Sequence, residues 1–388
     1  MTTQNDTLVF LFGTLRDAQL ARIVFGAEVP AVAARLPGYE TRRASGGDWP
    51  TLVAEPDASA EGLCLRLTAD ALDRGDFYEA LFGYKRAAAR VLLDGAERSA
   101  DVWFPPHPGS AGPSAWDLAD WQAGHADLAR MAAADVMALR GAYPVARTAA
   151  RFPSIRARAQ ARLNARDGGP TSLRRPTSPG DVDVSARRTP YAGFFAVEEY
   201  DLRHARFDGT MSAQITRAAF VCADAVTVLP YDPQRDRVLL IEQFRPGPLA
   251  RGDAQLWSLE AIAGRIDPGE TPQDAARREA REEAGLDIGA LLPLAEYYPT
   301  PGAASEFLYS FVALADLPDI ATRLGGVETE HEDIRAHVVA FDRLMALVAS
   351  GEVNNAPLLL SALLLASRRA ELREGAGVPT PAEGPGTR

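Results

Sequence analysis

The chain has 388 residues, 47% of them hydrophobic and 24% charged, and a formal net charge of -11. That length exceeds what one hydrophobic core usually serves, so two domains are expected. The acidic balance disfavours nonspecific attraction to nucleic acid or anionic lipid, and neither is expected as a partner. Cys64 and Cys222 are the only cysteines. Two cannot build a disulfide framework or a zinc knuckle, and a reducing cytoplasm suits them. The first six residues contain neither a basic nor an apolar stretch, so no secretory leader is expected.

An α/β unit is predicted over residues 1–113. The apolar run Leu8 to Phe12, ending at Gly13, suits a buried strand. Glu61 to Leu67 and Ala88 to Leu93 read as further strands, and Pro105-Pro106 with Pro108-Gly109 break the chain. Phe12-Gly13-Thr14-Leu15-Arg16 and Phe77 to Arg86 resemble segments of the γ-glutamylcyclotransferase-like (AIG2-like) family. The resemblance covers about residues 7–105 and implies a small mixed β-barrel with helices. It also implies Glu79 as an acid/base residue, beside a glycine turn whose N–H groups can bind a carboxylate. Phe12 stands where that family usually has tyrosine, and Ala80 where it usually has glycine. The residues leave open a retained fold without that activity.

Residues 114–166 read as a helical connector. Ser114 is the expected N-cap, and Trp116, Ala119, Ala123 and Ala126 recur at helical spacing. The arginine-rich part, Arg147 to Arg166, contains Pro153 and lacks interleaved aromatics, so a solvated helix is expected over a nucleic-acid patch. Residues 167–189, rich in glycine, proline and arginine, read as a flexible linker.

The second domain is expected over 190–388, as an α/β/α sandwich on a mixed sheet. Ala225 to Leu229 and Arg237 to Ile241 flank Asp232-Pro233, which signals a hairpin. Phe341 to Ala349 and Ala356 to Arg369 read as helices. The apolar part of the latter, Ala356 to Ala366, is too short to span a bilayer and is expected to be buried.

The strongest signal runs from Gly264 to Leu286. Thr271 is an N-cap, Pro272 fits the first helical position, Asp274 completes a capping arrangement and Gly285 stops the helix. Glu279 and Glu283, four residues apart, share one helix face with Glu282 beside them. Like charges at that spacing cost a few tenths of a kcal/mol unless a cation reverses the sign. Ala276, Ala280 and Ala284 form a small-residue stripe suited to close packing on a sheet. The residues alone also allow a solvated helix balanced by Arg277, Arg278 and Arg281.

The spacing of Gly264, Glu270, Arg278-Glu279, Glu282-Glu283 and Gly285-Leu286 resembles the Nudix box. The resemblance implies a Mg²⁺-dependent diphosphate hydrolase, with Mn²⁺ as an alternative ion. Glu279 and Glu283 would be metal ligands, Glu282 an accessory carboxylate, and the carbonyl of Ala263 a further oxygen. Arg278 would pair with Glu270 and hold the loop against the helix.

Three further features resemble the ADP-ribose pyrophosphatase subgroup, over about residues 190–370. Pro301 lies fifteen residues beyond Leu286. Arg245, within Leu240 to Gly247, would bind phosphate. The acidic segment Glu328 to Arg335 would supply the general base, Glu330 first and Glu332 second, while Glu306 would touch substrate or metal. The substrate implied is a nucleotide sugar, ADP-ribose first, and the assembly a homodimer that exchanges Phe194 to Arg206 between subunits. The two-domain combination resembles tellurite-resistance Nudix proteins. Another nucleotide sugar, NADH, a non-catalytic nucleotide sensor and γ-glutamylcyclotransferase activity of the first domain remain alternatives at the level of sequence.

Overall fold

The computed structural model describes residues 6–106, 111–317, 319, 322–326 and 332–376. The chain divides into two compact units. The first comprises Met1–Pro179 and Arg188–Phe194, and the second Gly180–Arg187 and Phe195–Arg388.

The first unit runs β1 (Thr7–Leu11), α1 (Ala18–Phe25), β2 (Ala31–Ala44), β3 (Pro50–Leu67), α2 (Ala69–Ala80), β4 (Lys85–Leu93), β5 (Ala96–Phe104), β6 (Ala111–Ala115), α3 (Leu118–Ala138) and α4 (Val145–Asn164). The order β3-β1-β5-β4-β2 closes on itself through β2–β3, making a five-stranded barrel with β6 added at β2. Among the described residues of this unit, only β1 and β5 pair in parallel. Alternate residues of β1 serve different clusters. Phe10 packs inside with Leu36, Leu52, Val91 and Val102, whereas Val9 and Leu11 meet the helices.

Three sequence expectations change here. The helix after β6 is capped by Asp117, whose carboxylate accepts from the Asp120 N–H, and not by Ser114. The stretch expected as a connector is two helices that belong to the first unit's core. Trp121, Ala126, Ala133 and Val136 of α3 and Ile155 and Ala159 of α4 are buried against α1 and β1 residues. Pro153 lies inside α4 without ending it. Finally, the expected linker contains β7 (Val182–Ala192), whose first residues fall in the second unit.

The second unit continues with β8 (Ala196–His204), β9 (Ile215–Val221), β10 (Ala225–Asp232), β11 (Arg237–Phe244), α5 (Pro246–Arg251), β12 (Trp257–Glu260), β13 (Ile262–Arg265), α6 (Pro272–Ala284), β14 (Leu291–Tyr297), β15 (Leu308–Leu314), β16 (Thr322–Gly325), β17 (Ile334–Ala340), α7 (Phe341–Ser350) and α8 (Ala356–Gly375). Its main sheet has the order β14-β15-β10-β11-β17-β16, with β13 on β10 and β12 on β11. The sheet is mixed, since β10 and β15 are parallel and β10 and β11 antiparallel.

The central strands are apolar on both faces because both faces are covered. Val226, Val228, Leu239 and Ile241 pack with Ala275, Ala276, Ala280 and Ala284 of α6. Leu229, Tyr231, Val238 and Leu240 pack with Phe341 and Leu344 of α7 and Leu358 and Leu365 of α8. Helix α8 extends beyond the expected Arg369, and Arg369 and Arg373 pair with Asp236 in the β10–β11 turn. No helix among the described residues is long and apolar enough to cross a membrane.

Candidate active site

Helix α6 starts and stops where its sequence dictates. Thr271 Oγ1 accepts the Asp274 N–H at 3.1 Å, and Gly285 takes the left-handed conformation at φ 59°. Four alanines lay the helix on the sheet with no bulk between them. That closeness carries Glu279 and Glu283 under the sheet edge as well, leaving them 9% and 2% exposed. The Ala263 N–H donates to Glu283 Oε2 at 3.1 Å. Next to it, a Cβ on Gly264 would stand 1.8 Å from Glu279 Oε1. A side chain at this position would displace the Glu279 carboxylate.

Arg278 holds the loop before the helix. Its Nε and Nη2 each reach a Glu270 oxygen at 3.0 Å, and Nη2 also donates to the Arg265 carbonyl at 2.9 Å. The remaining Nη1 reaches Glu279 Oε1 at 2.6 Å and Glu282 Oε2 at 3.0 Å. One guanidinium thus ties four groups, where the sequence suggested only the Glu270 pair. Glu282 itself is exposed.

The site is short of positive charge. Burial, reinforced by Glu282 and Glu332 and opposed by Arg278, pushes the Glu279 carboxyl up to about 7. Burial, reinforced by Glu279 and Glu332, pushes Glu283 up to about 9, although the Ala263 N–H and Arg245 oppose it. Two buried carboxylates on one face, cleared by a glycine, form the hard oxygen donor set that a small divalent cation prefers. No group of three or more His, Cys, Asp or Glu residues stands within ligating reach among the described residues.

Arg245, expected to bind phosphate, is held by a carboxylate in this structure. Strand β12 runs antiparallel to β11 and brings Glu260 within reach, so Arg245 forks onto it, Nε–Oε1 2.9 Å and Nη2–Oε2 2.7 Å. Arg245 still faces the acidic site. Glu260 raises its pKa most, and Glu283 and Glu332 raise it further. Glu306, half-buried, is pushed up by burial and opposed by Arg245, so it borders the same field.

Of the two loop glutamates, Glu332 is half-buried and in electrostatic contact with Glu279 and Glu283, while Glu330 lies outside the described residues. The strand before that loop approaches α6 closely. A Cβ on Gly325 would meet the Glu283 carbonyl at 2.1 Å, and Gly326 N–H donates to the Glu282 carbonyl. Sequence reasoning missed Glu260, which acts through a strand pairing, and Gly325, which acts through its approach to α6, since neither has a local signature. A lone glutamate closing the β12 tetrapeptide Trp257–Glu260 was the one available hint.

Glu79, the acid/base residue implied for the first domain, is not part of this site. It lies near the end of α2 and lines a cavity of about 570 Å³ within the first unit. Burial pushes its carboxyl up to about 8, and it has no hydrogen-bond partner among the described residues. Gly13, Thr14 and Leu15 of the glycine turn line the same cavity.

A family model described as NUDIX domain matches residues 223–360, and one described as gamma-glutamyl cyclotransferase, AIG2-like, matches residues 9–123. The ADP-ribose pyrophosphatase of Escherichia coli strain K12 is 40% identical over 176 residues, 45% of this chain and 83% of that protein. The ADP-ribose pyrophosphatase of Haemophilus influenzae is 31% identical over 196 residues, 50% of this chain and 90% of that protein. The GDP-mannose pyrophosphatase of Salmonella paratyphi B is 32% identical over 144 residues, 37% of this chain and 74% of that protein.

Proposed function

Because the chain belongs to the Nudix family, we propose that its second unit hydrolyses the diphosphate bridge of a nucleoside diphosphate sugar, with ADP-ribose as substrate and AMP and ribose 5-phosphate as products. The relatives named for ADP-ribose and GDP-mannose share that bond and that substrate class. The observation that carries the reading is the buried Glu279–Glu283 face opposite Ala263 and Gly264. Mg²⁺ would be held by Glu279 and Glu283, with Glu282 beside them and the Ala263 carbonyl as a further donor. When bound there, such an ion would supply polarisation of a phosphoryl oxygen and acidification of water.

The chain's own groups then have separate tasks. Arg278 keeps Glu270 and Glu279 in register, so the loop and the helix move together. Arg245, oriented by Glu260, turns its Nη1 N–H groups to a phosphate oxygen. Glu332 takes the proton of the attacking water, and Glu306 meets the substrate across from Arg245. The unit is a homodimer, supported by exposed apolar side chains on and around β8 and β9: Phe195, Phe207, Met211 and Phe220.

The test is release of AMP from ADP-ribose by the purified chain, with and without Mg²⁺, against GDP-mannose and NADH. Fastest turnover of ADP-ribose, abolished by chelation, supports the reading. Faster turnover of another member of the panel would replace the substrate, and no metal-dependent product from any would reject the reaction. Sedimentation of the full chain as a monomer only would reject the dimer.

A further inference from the structure

The last carbonyls of a helix have no partner within it and must find one elsewhere. At the end of α6 the Gly285 N–H, turned back by its left-handed conformation, donates to the Arg281 carbonyl at 2.9 Å. The Glu282 carbonyl is met by another element. The Gly326 N–H, one residue past β16, donates to it at 3.3 Å. One residue earlier, β16 passes so near the helix that a Cβ on Gly325 would stand 2.1 Å from the Glu283 carbonyl oxygen. The two glycines therefore touch the backbone of the residues that carry two of the site's carboxylates.

The same pair also meets Glu332. Strand β16 runs antiparallel to β17, with Leu324 opposite Arg335 and Gly325 opposite Ile334. That register brings Gly326 beside Glu332. A Cβ on Gly326 would stand 2.9 Å from the Glu332 Cβ and 3.0 Å from its carbonyl oxygen. Gly326 also has φ +100°, a conformation that residues with a Cβ rarely adopt. Space and backbone angle each exclude a side chain there, for separate reasons. Glu332 is half-buried and within electrostatic reach of Glu279, Glu283 and Arg245.

We propose that Gly325 and Gly326 are positioning residues for the hydrolysis: they clamp the backbone of Glu332 to the last turn of α6, so that the proton-accepting carboxylate and the metal-binding carboxylates keep one spacing. The inference rests on the role given to Glu332 above, and adds that its placement is set from β16. Gly326 leaves the room in which the Glu332 Cβ sits, and its N–H ties that room to the helix. Gly325 sets how near the strand stands to Glu283. Misplacing a reacting group by about 1 Å costs on the order of 10²-fold in rate. The two glycines therefore have separable effects, Gly326 on Glu332 and Gly325 on Glu283.

Variants of the full chain test this with ADP-ribose turnover and Mn²⁺ titration. Gly326→Ala should lower kcat on the order of 10²-fold, with KM and Mn²⁺ affinity held within about twofold. Gly325→Ala should instead weaken Mn²⁺ binding about tenfold, because the strand pushes on Glu283. In a Glu332→Gln background, Gly326→Ala should cost less than about a further twofold, since the group it displaces is already disabled. Gly351→Ala is the control for backbone strain. Gly351 has φ +80° with open space around it at the end of α7, so kcat should not change. If circular dichroism shows Gly326→Ala unfolded, Gly326→Asn replaces it in the cycle, because asparagine accepts positive φ and still carries a Cβ. Undiminished kcat in the Gly326 variant, the same loss with and without an impaired Glu332→Gln, unaltered Mn²⁺ binding by Gly325→Ala, or an equal loss in Gly351→Ala would overturn the proposal alone. Wild-type turnover by Glu332→Gln would remove the role of Glu332 and the proposal with it.

Discussion

Two glutamates, Glu283 and Glu79, sit in different units and meet the same force with different surroundings. Burial pushes both carboxyls far above their ordinary range, to about 9 and about 8. Glu283 stands among other acids, Glu279 and Glu332, with one backbone N–H and the field of Arg245 in partial compensation. Glu79 stands among aromatic rings, with no hydrogen bond or basic group to compensate it among the described residues. Crowded acids call for a multivalent cation with oxygen preference, whereas a solitary acid among aromatic rings is held protonated by burial. A shifted carboxyl alone does not identify a role; its neighbours do.

The most severe way to break this contrast is Glu283→Gln. Loss of a metal ligand removes several kcal/mol of transition-state stabilisation, so kcat should fall on the order of 10³-fold. Thermal stability without metal should hold or rise, because a buried acid among like charges has gone. If turnover survives, Glu283 is merely a buried structural acid. Gly264→Ala should cost somewhat less, on the order of 10²-fold in kcat, because the new methyl group displaces Glu279 while leaving both carboxylates present. The same activity in this variant would mean the close approach at 1.8 Å has no functional meaning.

Titration sharpens the other side of the contrast. Glu79 has a folded value near 8 against an ordinary 4.5, so the fold favours its protonated form. Its stabilising contribution is complete below about pH 4.5 and is lost as the pH rises through about 8. The melting temperature should therefore decline over that window, and Glu79→Gln should make the decline shallower, with or without Mg²⁺. A slope unchanged by the substitution would show that Glu79 ionises freely. The smallest effect belongs to a position outside both sites. Thr271→Ala should cost about 1 kcal/mol of stability in denaturant titrations, with little change in kcat; a large loss of activity would show that the cap positions the carboxylates.

How far the sequence could be read follows from the distance over which each feature is specified. Helix α6 was legible to its last residue, because Thr271, Pro272 and Gly285 act on their own neighbours. The shared face of Glu279 and Glu283 was legible because helix geometry fixes it at i and i+4. The hairpin of β10 and β11 was likewise local, with register Tyr231 opposite Val238. The Arg245–Glu260 fork was not, because it needs β12 to fold back on β11. The same holds for Gly325, whose reason lies on α6. The largest misreading, α3 and α4 as a connector, has a plain cause. The small residues Ala126, Ala132, Ala133, Ala157 and Ala159 make up much of their buried faces, so their hydrophobic pattern is weak although their packing is tight.

The claim on which the second unit's chemistry depends is that Glu279 and Glu283 together hold a divalent cation. Titration of Mn²⁺ into the metal-free full chain, followed by water proton relaxation, tests it most directly. The wild type should show saturable binding that ADP-ribose tightens, and both Glu279→Gln and Glu283→Gln should weaken it at least tenfold. Equal binding by the wild type and both variants would contradict the assignment.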